Sequence, residues 1–220
     1  MKILALEFSS AQRSVAIVQA AGAHDGWIEH EAVQSGPAST PLTLIDQALR
    51  HAALEREQID RLAIGLGPGS YNGIRAAIAL AQGWQLARGV KLAGLSSAEC
   101  IAAQAQTDGL RGTVAVAIDA QRGEFYLAIY DLTSIGWREL EPLRLASPNG
   151  VSECCAKGQT IVGPELDRWF PQAKNVWPRA VTLAKMAMLH SEFIPGENLQ
   201  PIYLRPTSFV KAPPPRALPQ

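Results

Sequence analysis

The chain states one local pattern twice. ILALEFSSAQRSVAIV at residues 3–18 runs as an apolar stretch, an acidic residue (Glu7), a polar turn and a second stretch rich in β-branched residues. TVAVAIDAQRGEFYLAIYD at 113–131 repeats that order, with Asp119 as the acid. Both turns contain Ala-Gln-Arg, at 11–13 and 120–122. A tripeptide alone carries little, but coupled to the same order of strand, acid, turn and strand it points to a duplicated unit. Each half should therefore open on two paired strands. With 220 residues, 47% of them hydrophobic, the chain can fill one large domain or two small lobes around a buried core.

Between the copies the periodicity changes. After a variable stretch at 22–40, PLTLIDQALRHAALE places Leu42, Ile45, Leu49 and Ala52 at helical spacing, with Pro41 suited to a first turn. LAIGL at 62–66 reads as a short strand, Asn72 to Arg88 as a second helix ending near Gly89, and KLAGLS as another strand. Ser96 and Glu99 have capping-box spacing for a third helix through Gln106. The second half adds a polar, proline-dotted region at 139–160, a strand at 160–163 and a helix around 181–193. The expectation is an α/β protein with a first lobe at 1–108, a second at 109–200 and a C-terminal segment at 201–220. Its last ten residues, KAPPPRALPQ, hold nothing that packs and are expected to be disordered.

Charge excludes a solo nucleic-acid binder: 20 basic and 20 acidic side chains cancel, so any RNA role must be shared with a partner. No apolar run reaches the ~18 to 20 residues of a membrane span, and the apolar start is too short for a secretory signal, so a cytoplasmic protein is expected. Cys100, Cys154 and Cys155 are odd in number and read as reduced thiols. The four histidines, His24, His30, His51 and His190, include no i, i+4 pair, so no metal site is expected.

GLGPGSYNGIRAAIALAQGW, 65–84, has the look of a phosphate loop but not its chemistry. A Walker-type loop needs a lysine after its last glycine, and Ile74 stands there; a nucleophile elbow needs glycines two residues either side of Ser70, and they are missing. What remains is a strand-to-helix turn in which Gly67 and Gly69 permit positive φ and Ser70 or Asn72 caps the helix, with backbone N–H groups able to hold an anion weakly. Between Ile74 and Ala81 the only charge is Arg75, so this helix needs cover on both sides. A second protein could supply it, and so could the chain's own C-terminal segment.

ILALEFSS, AIGLGPGSYNGIRAAIALAQG, GLSSAE, IDAQRGEFYLAIY and PIYLRP, in this order over nearly the whole chain, resemble the TsaB (YeaZ) family. The resemblance implies the duplicated actin, Hsp70 and hexokinase type of fold (ASKHA), with mixed sheets flanked by helices. It implies a non-catalytic accessory subunit in the synthesis of threonylcarbamoyladenosine beside the tRNA anticodon. The partners would be a TsaD-like catalytic subunit and a TsaE-like ATPase, with tRNA met only through the complex. ATP and metal would belong to the partner subunits, and this chain would carry no cofactor of its own. The partner-binding residues would be Leu42, Ile45, Leu49, Ile74, Ala77, Ile78 and Ala81, and in isolation the same surface would be open to homodimerisation.

Glu7, Ser9, Ser10, Gly67, Gly69, Ser70 and Asp119 are the candidates for weak nucleotide or anion binding. In sugar kinases an acid at the end of the first strand orients metal and phosphates. Glu7 and Asp119 could equally close strand ends by accepting backbone hydrogen bonds. The chain departs from the family pattern in having Glu7-Phe8-Ser9 where Asp-Thr-Ser is usual, and in lacking a histidine within 36–40. Both departures count against nucleotide chemistry. The alternatives to an accessory subunit are an independent kinase-like ATP-dependent enzyme and, with least support, a metallopeptidase.

Overall fold

The computed structural model describes residues 1–20, 27–36, 40–189 and 192–204. The first copy of the pattern forms β1 (Lys2–Glu7) and β2 (Gln12–Ala20), paired antiparallel, followed by β3 (Trp27–Ser35). Then come α1 (Pro41–Ala52), β4 (Arg61–Gly65), α2 (Tyr71–Arg88), β5 (Lys91–Leu95) and α3 (Ser97–Thr107). The second copy gives β6 (Gly112–Asp119), β7 (Phe125–Leu132) and β8 (Trp137–Ala146), then α4 (Pro148–Ala156), β9 (Thr160–Gly163), β10 (Lys174–Asn175) and α5 (Ala180–Leu189).

The duplication holds at the level of topology. The first sheet has the order β3-β2-β1-β4-β5 and the second β8-β7-β6-β9-β10. In each, the opening three strands form an antiparallel meander and the last two pair parallel. This is the expected α/β arrangement of two mixed sheets.

Three strands and a helix fall where no element was expected, the shortest of them the two-residue β10. β3 lies in the variable stretch, and β8 and α4 lie in the polar, proline-dotted one. WIEHEAVQS buries only Ala32 and WRELEPLRLA only Ala146, because both strands are sheet edges whose exposed side chains mask the period of two.

The helices divide the core. α1 and α2 cover one face of the first sheet through Leu44, Ile45, Ala48, Leu49, Ile74, Ala77, Ile78 and Ala81. α5 covers the other face with Leu183, Ala184 and Ala187. α3 lies between the two sheets: Cys100 and Ala103 face the first sheet and α5, whereas Ala98, Ile101, Ala102 and Ala105 face the second. Its small side chains let both sheets approach. Val151 and Cys154 of α4 close the far side of the second sheet.

A division of the chain at 108 separates the two sets of strands but not the helices. α5, expected in the second lobe, packs on the first sheet, and α3, expected in the first, packs on the second. The expected helix at 181–193 ends at Leu189. The expected disordered tail at 211–220 lies outside the described residues, as do His24 and His190.

Candidate functional site

The glycine-rich turn is shaped by the end of β1 beneath it. A Cβ on Gly69 would meet the Ser9 carbonyl oxygen at 2.1 Å, and one on Gly73 would meet that of Phe8 at 2.0 Å. Ser70 donates its N–H to the Ser9 carbonyl (2.7 Å), and its Oγ accepts the Gly73 N–H (3.3 Å), so Ser70, not Asn72, caps α2. Close packing of a helix start on a strand end accounts for these two glycines.

Glu7 is fully buried. One carboxylate oxygen accepts the Ser9 N–H (2.8 Å) and the other accepts the Ser97 hydroxyl (2.9 Å). Ser97 Oγ in turn accepts the Gly67 N–H (3.1 Å). Gly65 leaves the room this needs, since a Cβ there would sit 2.0 Å from Glu7 Oε2. Burial pushes the Glu7 carboxyl above its ordinary pKa, against the opposing pull of hydrogen bonds from Ser9 and Ser97. Asp119, its counterpart, accepts the Gln121 N–H (2.7 Å) and pairs with Arg168 (3.1 Å). Both acids therefore close strand ends, and neither presents a bare carboxylate.

Five of the seven anion-binding candidates, Ser9, Ser10, Gly69, Ser70 and Asp119, line a cleft of about 560 Å³ between the two halves. Tyr71, Tyr126, Glu165 and Arg168 complete much of its wall. Glu7 and Gly67 stand behind this wall rather than in it. The serine hydroxyls are largely committed: Ser9 bonds to Glu7, and Ser10 donates to the Gln12 carbonyl (2.8 Å). With those protons spent, the two oxygens offer the cleft mainly lone pairs, which suits a phosphate poorly. Gln121, on the cleft wall, and Arg122 both adopt positive φ, 62° and 59°. That strained conformation at the cleft mouth had no signal in the repeated Ala-Gln-Arg. Among the described residues, no three His, Cys, Asp or Glu side chains are placed to hold a metal ion.

The expected partner face is corrected by the packing. Ile45, Leu49, Ile74, Ala77, Ile78 and Ala81 are buried in the chain's own core, and of the seven only Leu42, 55% exposed, reaches solvent. Positions 74, 77, 78 and 81 form one stripe at 3.6 residues per turn, and the sheet takes it. One flank of α2, beside the buried stripe, is partly covered by residues 192–204. There Gln82 donates to the Gly196 carbonyl (2.8 Å), Gly196 donates its N–H to Gln85 (2.7 Å), and Leu199 enters the core. Ile202 donates to the Leu66 carbonyl (2.9 Å), and the Tyr203 ring stacks on Tyr71 at 6.0 Å.

Beyond this strap a small apolar patch stays open beside the exposed Asn72, Arg75 and Gln82. It consists of Ala79, Gly83 and Leu86, the last 92% exposed, with Tyr71 and Leu42 nearby in sequence order on the first turns of α2 and α1. A helical wheel drawn off the buried stripe would have found 79, 83 and 86 from the sequence.

A family model described as TsaD: tRNA N6-adenosine threonylcarbamoyltransferase matches residues 38–139, the span from before α1 to the start of β8. The Escherichia coli tRNA threonylcarbamoyladenosine biosynthesis protein TsaB is 27% identical, over 93% of this chain and 95% of its own length. The Haemophilus influenzae protein of the same name is 26% identical, over 93% and 94%. The solved structure of YeaZ from Pseudomonas aeruginosa superposes with a TM-score of 0.76 at 25% identity, covering 92% of this chain and 99% of that one. A second structure from that organism, of a protein described as similar to peptidase YeaZ, superposes at 0.77 with 26% identity.

Proposed function

We propose, on the premise that the chain belongs to the TsaB (YeaZ) family, that it is a non-catalytic subunit required by a TsaD-type subunit for threonylcarbamoyl transfer to the adenosine beside the tRNA anticodon. The observation that carries the subunit reading is the open apolar face of α2. Ala79, Gly83 and Leu86 are exposed on a lobe whose core is otherwise filled, and such a face is covered by another chain. A helix from the partner fits it, because Ala79 and Gly83 present almost no side chain and an added Cβ at Gly83 would meet nothing within 4 Å. In isolation a second copy can take the same place.

Support for the non-catalytic half of the reading comes from Glu7 and Asp119, one buried and hydrogen-bonded, the other ion-paired. A kinase-like site needs acids free to orient a metal and phosphates. ATP and metal are assigned to the TsaD-type and TsaE-type partners, and tRNA is met only in the assembled complex. No helix among the described residues is long and apolar enough to cross a membrane, and a role in tRNA modification supports the cytoplasm as its compartment.

The test is threonylcarbamoyl transfer to tRNA by the cognate TsaD-type and TsaE-type subunits, supplied with the threonylcarbamoyl adenylate, with and without this chain. ATP hydrolysis by the chain alone is measured in parallel. The reading expects modification that depends on the chain and no metal-dependent turnover by it in isolation. Unchanged modification together with such turnover would replace it with the kinase-like enzyme.

A further inference from the structure

The cleft lies at the carboxyl ends of β1 and β4, and the strands start at the opposite end of the first lobe. There Arg61 opens β4 and Lys91 opens β5, and the parallel register makes them direct neighbours. The next residues, Leu62 and Leu92, enter the core under α1 and α2, so Arg61 and Lys91 share the other face of the sheet. Neither makes an ion pair among the described residues. Both turn to one ring instead: the Arg61 guanidinium carbon lies 4.6 Å and the Lys91 ammonium 4.8 Å from the centroid of Phe193.

Like charges directly opposite on neighbouring strands repel. The Phe193 ring attracts each cation through its quadrupole but brings no net negative charge to cancel them. Other surface arginines of the chain are paired with acids, among them Arg56 with Asp46 and Arg138 with Asp131. The strand-start end keeps two adjacent cations around an aromatic ring with no acid paired to either. A guanidinium fork, a compact ammonium and a ring in one place are the components of a phosphate-backbone contact.

We infer that Arg61 and Lys91 form a contact surface for the RNA phosphate backbone, touching tRNA when the chain is held in its complex. The inference rests on the proposed function for the identity of the polyanion. Its size fits the charge balance of the whole chain: two phosphate contacts are too few to bind RNA alone, but they add to an affinity supplied mainly by a partner.

The experiment measures binding of fluorescently labelled unmodified tRNA to the assembled complex with the TsaD-type subunit, over a KCl series. It compares the native chain, Arg61→Glu/Lys91→Glu, and a control pair, Arg138→Glu/Arg144→Glu, on the exposed edge strand β8. The patch variant is expected to bind about tenfold more weakly at ~0.1 M salt, with a salt slope smaller by about 2, whereas the control stays near native. Assembly with the TsaD-type subunit, read by gel filtration, should be the same for all three. Native affinity and slope in the patch variant would overturn the inference. So would loss of assembly in place of tRNA binding, which would make the occupant an acidic protein surface. Failure of the proposed function shows separately, as modification that proceeds without the chain.

Discussion

Glu7 ends β1 inside the protein, with one oxygen on the Ser9 N–H and the other on the Ser97 hydroxyl. That network ties the strand end to the first turn of α3 and, through the Gly67 N–H, to the turn that starts α2. Replacing Glu7 with Ala would leave a buried hydroxyl and a buried N–H without their acceptor, and is expected to cost about 2 to 3 kcal/mol in urea unfolding. The charge gives a second, signed prediction. Burial holds the folded-state pKa above the unfolded one, so the stabilisation linked to this proton is complete in acid and is lost as pH rises through the folded value. Glu7→Gln removes that dependence. Measured against the native chain as pH rises from the ordinary carboxyl value of 4.5, its relative stability should therefore improve until the folded value is passed. A flat or falling difference would mean that the hydrogen bonds outweigh burial. The acid at the strand end was legible in the sequence because it recurs as Asp119. Its partner Ser97 was not, because the two are brought together only when the strands and α3 pack.

α2 shows how far a periodic pattern can be read. Its limits, its glycine stop and its Ser70 cap follow from local chemistry. The composition from Ile74 to Ala81 gave no polar face from which to judge which side meets the sheet, and the stripe 74, 77, 78, 81 proved to be the inner one. Ile78 is 7% exposed within the chain's own core. Ile78→Glu should therefore lose about 3 kcal/mol or more, seen as a lower melting midpoint of the isolated chain, because it buries a carboxylate with no partner. Unchanged melting would place that residue at an interface instead. The strap at 192–204 answers part of the helix's need for cover, and Gly196 is its tightest point, since a Cβ there would sit 2.6 Å from Gln85 Oε1. β3 and β8 went unread because edge strands answer to solvent on most of their surface.

At the scale of the molecule, the repeated strand, acid and turn predicted two related halves, and both sheets share one order of strands. What chain order could not convey is the exchange of helices, in which α3 and α5 fill the space between sheets that their neighbours in sequence belong to. The halves enclose a cleft in which Asp119 is already ion-paired, while the outer side of α2 stands open. That arrangement supports the proposed role of a subunit held against a partner.

The most direct measurement is calorimetric titration of the TsaD-type subunit with Ala79→Glu/Leu86→Glu, beside the native chain and paired with its melting curve. Both substituted residues are exposed, so the account predicts melting within about 0.5 kcal/mol of native stability and association weakened at least tenfold, with threonylcarbamoyl transfer lost in step. Native affinity and full transfer by a folded variant would contradict the claim that this face is where the subunit docks.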